Sequence, residues 1–252
     1  MYNIARYVGI ELEICEKWHT YDKPSKGHYW YKKYDGSVSS DDFGGYGAEF
    51  VFDKPLIGKD VVESVTNICH WFKARQYSSS LMVKRNTYAM IPEHYFMTAT
   101  DVNAGFHLHL DYRGVSDAAA LNFADVAYTI QPNIIKTVHR SRQDNGYCVL
   151  YDNYPSHDYI YNNRCWEDCS RYNWINITNL RHREERTIEI RLHEGTTDKD
   201  KILTWCEFWT VLANLCDNNR VTPEFVRSVG FKGLLERMKL SPKTRERFAL
   251  CV

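Results

Sequence analysis

Residues Thr187–Thr197 read TIEIRLHEGTT. Taken as a strand, this stretch turns Thr187, Glu189, Arg191 and His193 to one face and Ile188, Ile190 and Leu192 to the other. The reason is that side chains alternate with period two. The apolar row suits a core. The Glu, Arg and His opposite it form a reactive surface. A solvated edge strand would account for one such face standing alone, but the same design recurs twice more along the chain.

The first recurrence is Val8–Cys15, VGIELEIC, with Val8, Ile10, Leu12 and Ile14 on one face and Gly9, Glu11 and Glu13 on the other. Carboxylates at i and i+2 lie roughly 6–7 Å apart at the backbone, close enough to call for a compensating cation. The second is Gly105–Asp111, GFHLHLD, in which Phe106, Leu108 and Leu110 oppose His107, His109 and Asp111. Alternating imidazoles beside a carboxylate suit metal binding or contact with an anion. After a glycine-rich loop (Gly44, Gly45, Gly47), Ala48–Phe52 reads as a further strand bearing Glu49. Arg171–Leu180 reads as another, with Trp174, Asn176 and Thr178 on one face.

The rest of the chain supplies the cover. Asp60 opens a helix in which Val61, Val65, Ile68 and Phe72 recur at helical spacing. Leu81–Ile91 is ambiguous, with a strand as one reading. Asp117 starts a long helix through His139, kinked at Pro132. Asp198 caps a helix whose Ile202, Trp205, Trp209, Leu212, Ala213 and Cys216 form an apolar stripe. Thr222-Pro223 and Ser241-Pro242 open two short C-terminal helices. Asp35-Gly36 marks a hairpin turn, Leu150–Ser170 a long loop of the functional or mobile kind, and Arg181–Arg186 a solvated turn of opposed charges. The expectation is one domain over 1–252, with 218–252 as its C-terminal helical extension.

Lysine plus arginine and aspartate plus glutamate both number 32, so the formal net charge is zero. That argues against a broad nucleic-acid-binding face. No apolar run is long enough to span a membrane, and Met1–Tyr7 lacks the basic start of a secretion signal. The eight cysteines then read as reduced thiols in a cytoplasmic protein. Cys165 and Cys169 lack the matching second pair of a zinc site.

If the patterned strands are neighbours, Glu11, Glu13, Glu49, His107, His109, Glu189 and Arg191 share one sheet surface. So many carboxylates need cations to coexist at neutral pH. Oxygen-rich ligation favours Mg2+, or Mn2+, over zinc. With arginines nearby this is the apparatus of phosphate chemistry. Arg140, Arg142, Arg164, Arg171 and Arg191 are candidate anion partners.

The ordered set GIELEI, DGSV, GAEFVF, GFHLHLD, SRQDNGYC, RYNWIN and TIEIRLHEGT resembles the amidoligase family, within the carboxylate–amine ligases typified by glutamine synthetase and glutamate–cysteine ligase. The resemblance runs from about Gly9 to about Trp209. It implies an α+β fold, a curved and largely antiparallel sheet with helices on its convex face, as in the glutamine synthetase catalytic domain. It also implies ATP-dependent joining of a carboxylate to an amine through an acyl phosphate, with Mg2+. On this resemblance Glu11, Glu13, His107 and Glu189 would hold metal, and Arg191, Glu49 and His109 would serve catalysis. Arg140, Arg142, Arg171 and Asn176 would contact the nucleotide. The partners would be small-molecule or peptide carboxylates and amines, in a protein that could form a homo-oligomer. The same Glu/His face would also serve a metal-dependent hydrolase, and a non-catalytic scaffold is the third reading.

Overall fold

The structure is a computed structural model that describes residues 1–16, 29–34, 46–85, 96–97, 104–143, 145–151 and 171–252. The strands are β1 (Val8–Glu16), β2 (Trp30–Tyr34), β3 (Tyr46–Phe52), β4 (Phe96–Met97), β5 (Gly105–Asp111), β6 (Ile175–Asn176) and β7 (Thr187–Glu194). They form one open antiparallel sheet in the order β2-β3-β1-β5-β7-β6, with β4 pairing to β1 off this path. The helices are α1 (Lys59–Arg85), α2 (Asp117–Thr129), α3 (Gln131–Ile134), α4 (Lys199–Asp217), α5 (Pro223–Arg237) and α6 (Pro242–Ala249). The fold class is therefore α+β. Among the described residues no helix is long and apolar enough to cross a membrane.

The alternation read from the sequence builds the core. Val8, Ile10, Leu12, Ile14, Phe50, Phe106, Leu108, Leu110, Ile188 and Ile190 are all buried on one sheet face. The helices bring their stripes to it: Val61, Val65, Ile68 and Phe72 from α1, and Trp205, Phe208, Trp209 and Leu212 from α4. Phe50 meets Phe72 edge-on with centroids 5.0 Å apart, and Trp209 packs against Phe123, Trp174, Trp205 and Phe208. Most aromatics among the described residues are thus core mass, each contributing packing beyond its buried area.

Several elements depart from the sequence reading for identifiable reasons. The helix from Asp117 stops at Thr129 and resumes as α3, because Pro132 has no N–H and its ring crowds the preceding turn. From Arg171 to Leu180 only Ile175–Asn176 is strand, and Thr178–Arg181 coils into a 3-10 turn. Trp174 enters the core while Asn176 faces away from it, so the two do not share a face. Arg186 is not solvated: it donates to Leu180 O at 2.6 Å and Tyr112 O at 3.1 Å, and pairs with Asp117. Helix α1 runs on to Arg85, where a strand was one reading. The Asp35-Gly36 turn, Arg164, Cys165, Cys169 and all of the 150–170 loop beyond Tyr151 lie outside the described residues.

The largest departure is at the end of β7. Leu108 pairs with Ile190 and Phe106 with His193, so two steps along β5 are matched by three along β7. The extra residue is a β-bulge, which breaks the alternation. Leu192 and His193 both end on the core side. His193 is fully buried, 4.9 Å from the Trp205 ring and 5.4 Å from the Phe106 ring, and not beside Arg191 on the polar face. Its Nδ1 lies 2.7 Å from Glu194 O, and Arg247 Nη2 lies 2.8 Å from its Nε2. Burial, and then the positive charge of Arg247, lower its pKa to about 4 against the opposing pull of Glu194. It is a neutral structural imidazole.

The C-terminal helices join the core through a buried carboxylate. Glu207 on α4 is fully buried and accepts hydrogen bonds from Asn3 N at 2.8 Å, Ser241 N at 3.0 Å and Ser241 Oγ at 2.5 Å, and also from Thr244 Oγ1. Truncation leaves these buried donors without partners, which costs about 2–4 kcal/mol. Glu207→Ala should therefore lower the unfolding free energy by that amount, seen as a lower denaturant midpoint, and open α6 to proteolysis. An unchanged midpoint would show that the network contributes nothing to docking α6.

Candidate metal centre

The antiparallel register turns separate sequence motifs into one cluster. Glu11 on β1 stands across from His107 on β5. Gly9 stands across from His109, and His109 in turn across from Glu189 on β7. Glu189 stands across from Asn176 on β6, while Glu13 stands across from Glu49, which stands across from Lys33 on β2. Paired positions in a sheet bring side chains within contact distance, and all of these lie on the face away from the helices.

The contacts confirm the convergence. Glu11 approaches His107 Nδ1 at 3.3 Å through one oxygen and His109 Nε2 at 3.3 Å through the other. His107 also lies 3.4 Å from Glu189 and 3.5 Å from Glu13. Glu189 is 5 % exposed. Its Oε1 pairs with Arg191 Nη1, and its Oε2 accepts from Asn176 Nδ2 at 2.8 Å. The Asn176 amide is oriented by Thr178, whose N–H and hydroxyl both donate to Asn176 Oδ1. Glu13 Oε2 accepts from Gly105 N at 2.6 Å. A Cβ at Gly105 would stand 2.7 Å from His107 Nε2, so glycine is required for the imidazole to sit there.

Charge is unevenly compensated on this face. Glu189 has Arg191, and Glu49 has Lys33 at 3.2 Å. Glu11 and Glu13 have imidazoles and one backbone N–H as close partners, with Lys33 acting on Glu11 from further off. Burial acts to raise Glu11, but the two histidines outweigh it and hold the carboxyl well below the usual range. Burial likewise opposes ionisation of Glu189, and the charges of His109, His107 and Arg191 overcome it. Burial would push His109 down, yet Glu11 and the Glu189 charge push it up.

Glu11, His109 and Glu189 each offer a donor atom, and these atoms lie within 4.8 Å of one another. The donor set fits a divalent cation on a further ground. The 3.3 Å approach of Glu11 to His109 Nε2 is poorly aligned, and that buried nitrogen has no hydrogen-bond partner. A buried polar atom without a partner calls for an explanation, and a metal ion would satisfy it. Oxygen donors with imidazole suit Mg2+ less strictly than Mn2+. A cleft of about 370 Å3 opens beside His109, lined also by Asp111, Arg113, Asn179, Glu184 and Thr187.

The remaining sequence candidates fall elsewhere. Arg140 and Arg171 are exposed, and among the described residues neither contacts a carboxylate of the cluster. Arg142 is 1 % exposed and donates to main-chain oxygens. Lys33 and Tyr147 were not singled out by sequence, although Tyr147 O accepts from Arg191 Nε at 3.2 Å. Lys33 becomes visible only once β2 is known to pair with β3. The Tyr147 contact is through the backbone and leaves no trace in residue type. Neither the family models nor the curated proteins give any match to this chain.

Burial and then the charge of Glu11 raise Glu49 from the ordinary carboxyl value of 4.5 to about 7, against the pull of Lys33. A carboxyl raised in the folded state favours folding fully below 4.5 and loses that contribution as pH rises through 7. Metal-free protein should therefore lose stability relative to Glu49→Gln between these pH values, as measured by urea unfolding in chelator. A constant difference between the two proteins would contradict this assignment.

Proposed function

We propose that the polar face is the metal centre of an ATP-dependent ligase that joins a carboxylate to an amine. The observation that carries this reading is the convergence of Glu11, His109 and Glu189 from three strands, with Arg191 paired to Glu189. Glu11, His109 and Glu189 would hold the ion, with Glu13 and His107 adjoining. A divalent ion there supplies charge neutralisation for phosphate oxygens.

The chain's own residues have defined parts. Asn176 and Arg191 hold Glu189 from its two oxygens. Arg191 spends Nη1 on Glu189 and Nε on Tyr147 O, and among the described residues its Nη2 makes no hydrogen bond. That edge of the guanidinium suits a phosphoryl group that gathers charge in transfer. The substrate carboxylate oxygen would attack the γ-phosphorus and release ADP. The amine nitrogen would then displace inorganic phosphate from the acyl phosphate to leave an amide. The motif resemblance to amidoligases supplies the ligase direction, and the antiparallel sheet backed by helices is in keeping with a glutamine synthetase-like catalytic domain.

One feature favours a second reading. Two imidazoles among the carboxylates make a mixed nitrogen and oxygen donor set, which suits a metal that activates water in a hydrolase.

A screen for ADP release with Mg2+ against panels of amines and carboxylates separates the two. The ligase reading predicts ADP release that requires both substrates, and its loss by about 100-fold or more in Glu189→Ala. Metal-dependent hydrolysis without ATP, or full turnover by the Glu189 variant, would overturn it.

A further inference from the structure

Arg142 follows His139 and Arg140 in a single 3-10 turn, and its side chain is among the largest fully buried ones in the protein. An arginine is seldom buried without a task that its charge and donors perform. Its Nη2 donates to Arg191 O at 2.8 Å, and its Nη1 reaches Ala104 O at 3.5 Å. Arg191 lies on β7 one step beyond the end of its pairing with β6, and Ala104 directly precedes β5. Facing residues of a hydrogen-bonded antiparallel pair exchange both N–H···O bonds. In the register that pairs Ile175 with Ile190, Arg191 faces Trp174 and donates its N–H to Trp174 O at 2.8 Å, but Trp174 N donates to Val149 O at 3.0 Å, and Arg191 O accepts from Arg142 instead.

The turn that carries Arg142 also grips the other end of Arg191. Asn145 Nδ2 donates to Ser141 O, Tyr147 N donates to Asn145 Oδ1, and Tyr147 O accepts from Arg191 Nε. Cys148 Sγ lies 3.5 Å from Arg142 O and closes the turn on itself. Residues 139–143 and 145–148 therefore hold Arg191 by main chain and side chain together.

We infer that Arg142 is a positioning residue: its buried guanidinium replaces the missing strand donor to Arg191 O where β6 ends and thereby aims Arg191 at the face that bears Glu11, His109 and Glu189. The inference rests on the proposed function for the purpose of that aim, but the positioning itself is a ligand-free property.

Two readouts on the full-length chain test it. The first is hydrogen exchange of the Arg191 Nε–H by 15N NMR, with the signal assigned by its absence in Arg191→Met. The expected result is slow exchange in the unmodified protein and at least tenfold faster exchange in Arg142→Met. Arg142→Lys, which keeps the charge but not the two-armed reach, should fall between them, and it serves alone if the methionine variant does not fold. Glu207→Ala, destabilised at a distance, should leave the Arg191 exchange unchanged. Unchanged exchange in both Arg142 variants would overturn the inference. So would equal acceleration in Glu207→Ala, which would mean general loosening.

The second readout is the affinity of Mg2+ with a non-hydrolysable ATP analogue. Arg142→Met and Arg191→Met should each lose about tenfold, and the double variant no more than Arg191→Met, because one acts through the other. Losses that multiply would contradict positioning through Arg191. Absence of nucleotide binding by the unmodified protein would count against the proposed function, while the exchange result would still decide the role of Arg142.

Discussion

Repulsion between carboxylates on one face of a sheet is the constraint around which this molecule is built. Glu11, Glu13, Glu49 and Glu189 come from three strands and are held against two imidazoles with little access to water. In such surroundings like charges a few ångströms apart repel far more strongly than in solvent. The fold offsets part of this with Arg191, Lys33 and the imidazoles of His107 and His109. The aliphatic row on the reverse side keeps the arrangement from relaxing, since any strand that slipped by one residue would carry its carboxylates into the core. Hydrophobic burial on one face thus holds electrostatic crowding on the other.

Support from outside the cluster makes the geometry specific. Asn176 is oriented by Thr178 before it reaches Glu189. Gly105 leaves room for His107 and lends its N–H to Glu13. The bulge in β7 sends His193 into the core, where Arg247 from α6 contacts it, and the end of β6 leaves Arg191 O to Arg142. Outer contacts of this kind fix ligand orientation and are as much a part of a metal site as the ligands.

The face pattern was legible because period-two alternation is local. Glu11, Glu13, His107, His109 and Glu189 could be assigned to a polar row without knowing any partner strand. Which carboxylate meets which imidazole was not legible, since register depends on contacts distant in sequence. His193 was misassigned for the same reason: the bulge arises from pairing with β5, and HEGTT gives no local sign of it. Arg142 read as an anion contact because nothing in SRQDNG distinguishes a buried guanidinium from an exposed one. Trp174 and Asn176 were placed on one face because a strand was assumed where the chain coils after two residues. Helix caps at Asp198 and Thr222 were readable because capping is decided within one turn.

The central claim is that the polar face gathers a divalent cation. Crystals soaked in Mn2+ and measured at a wavelength with strong anomalous signal test it without any assumption about substrate. The account predicts one strong peak bounded by Glu11, His109 and Glu189. A well-ordered face with no peak there, or manganese bound only elsewhere, would contradict it.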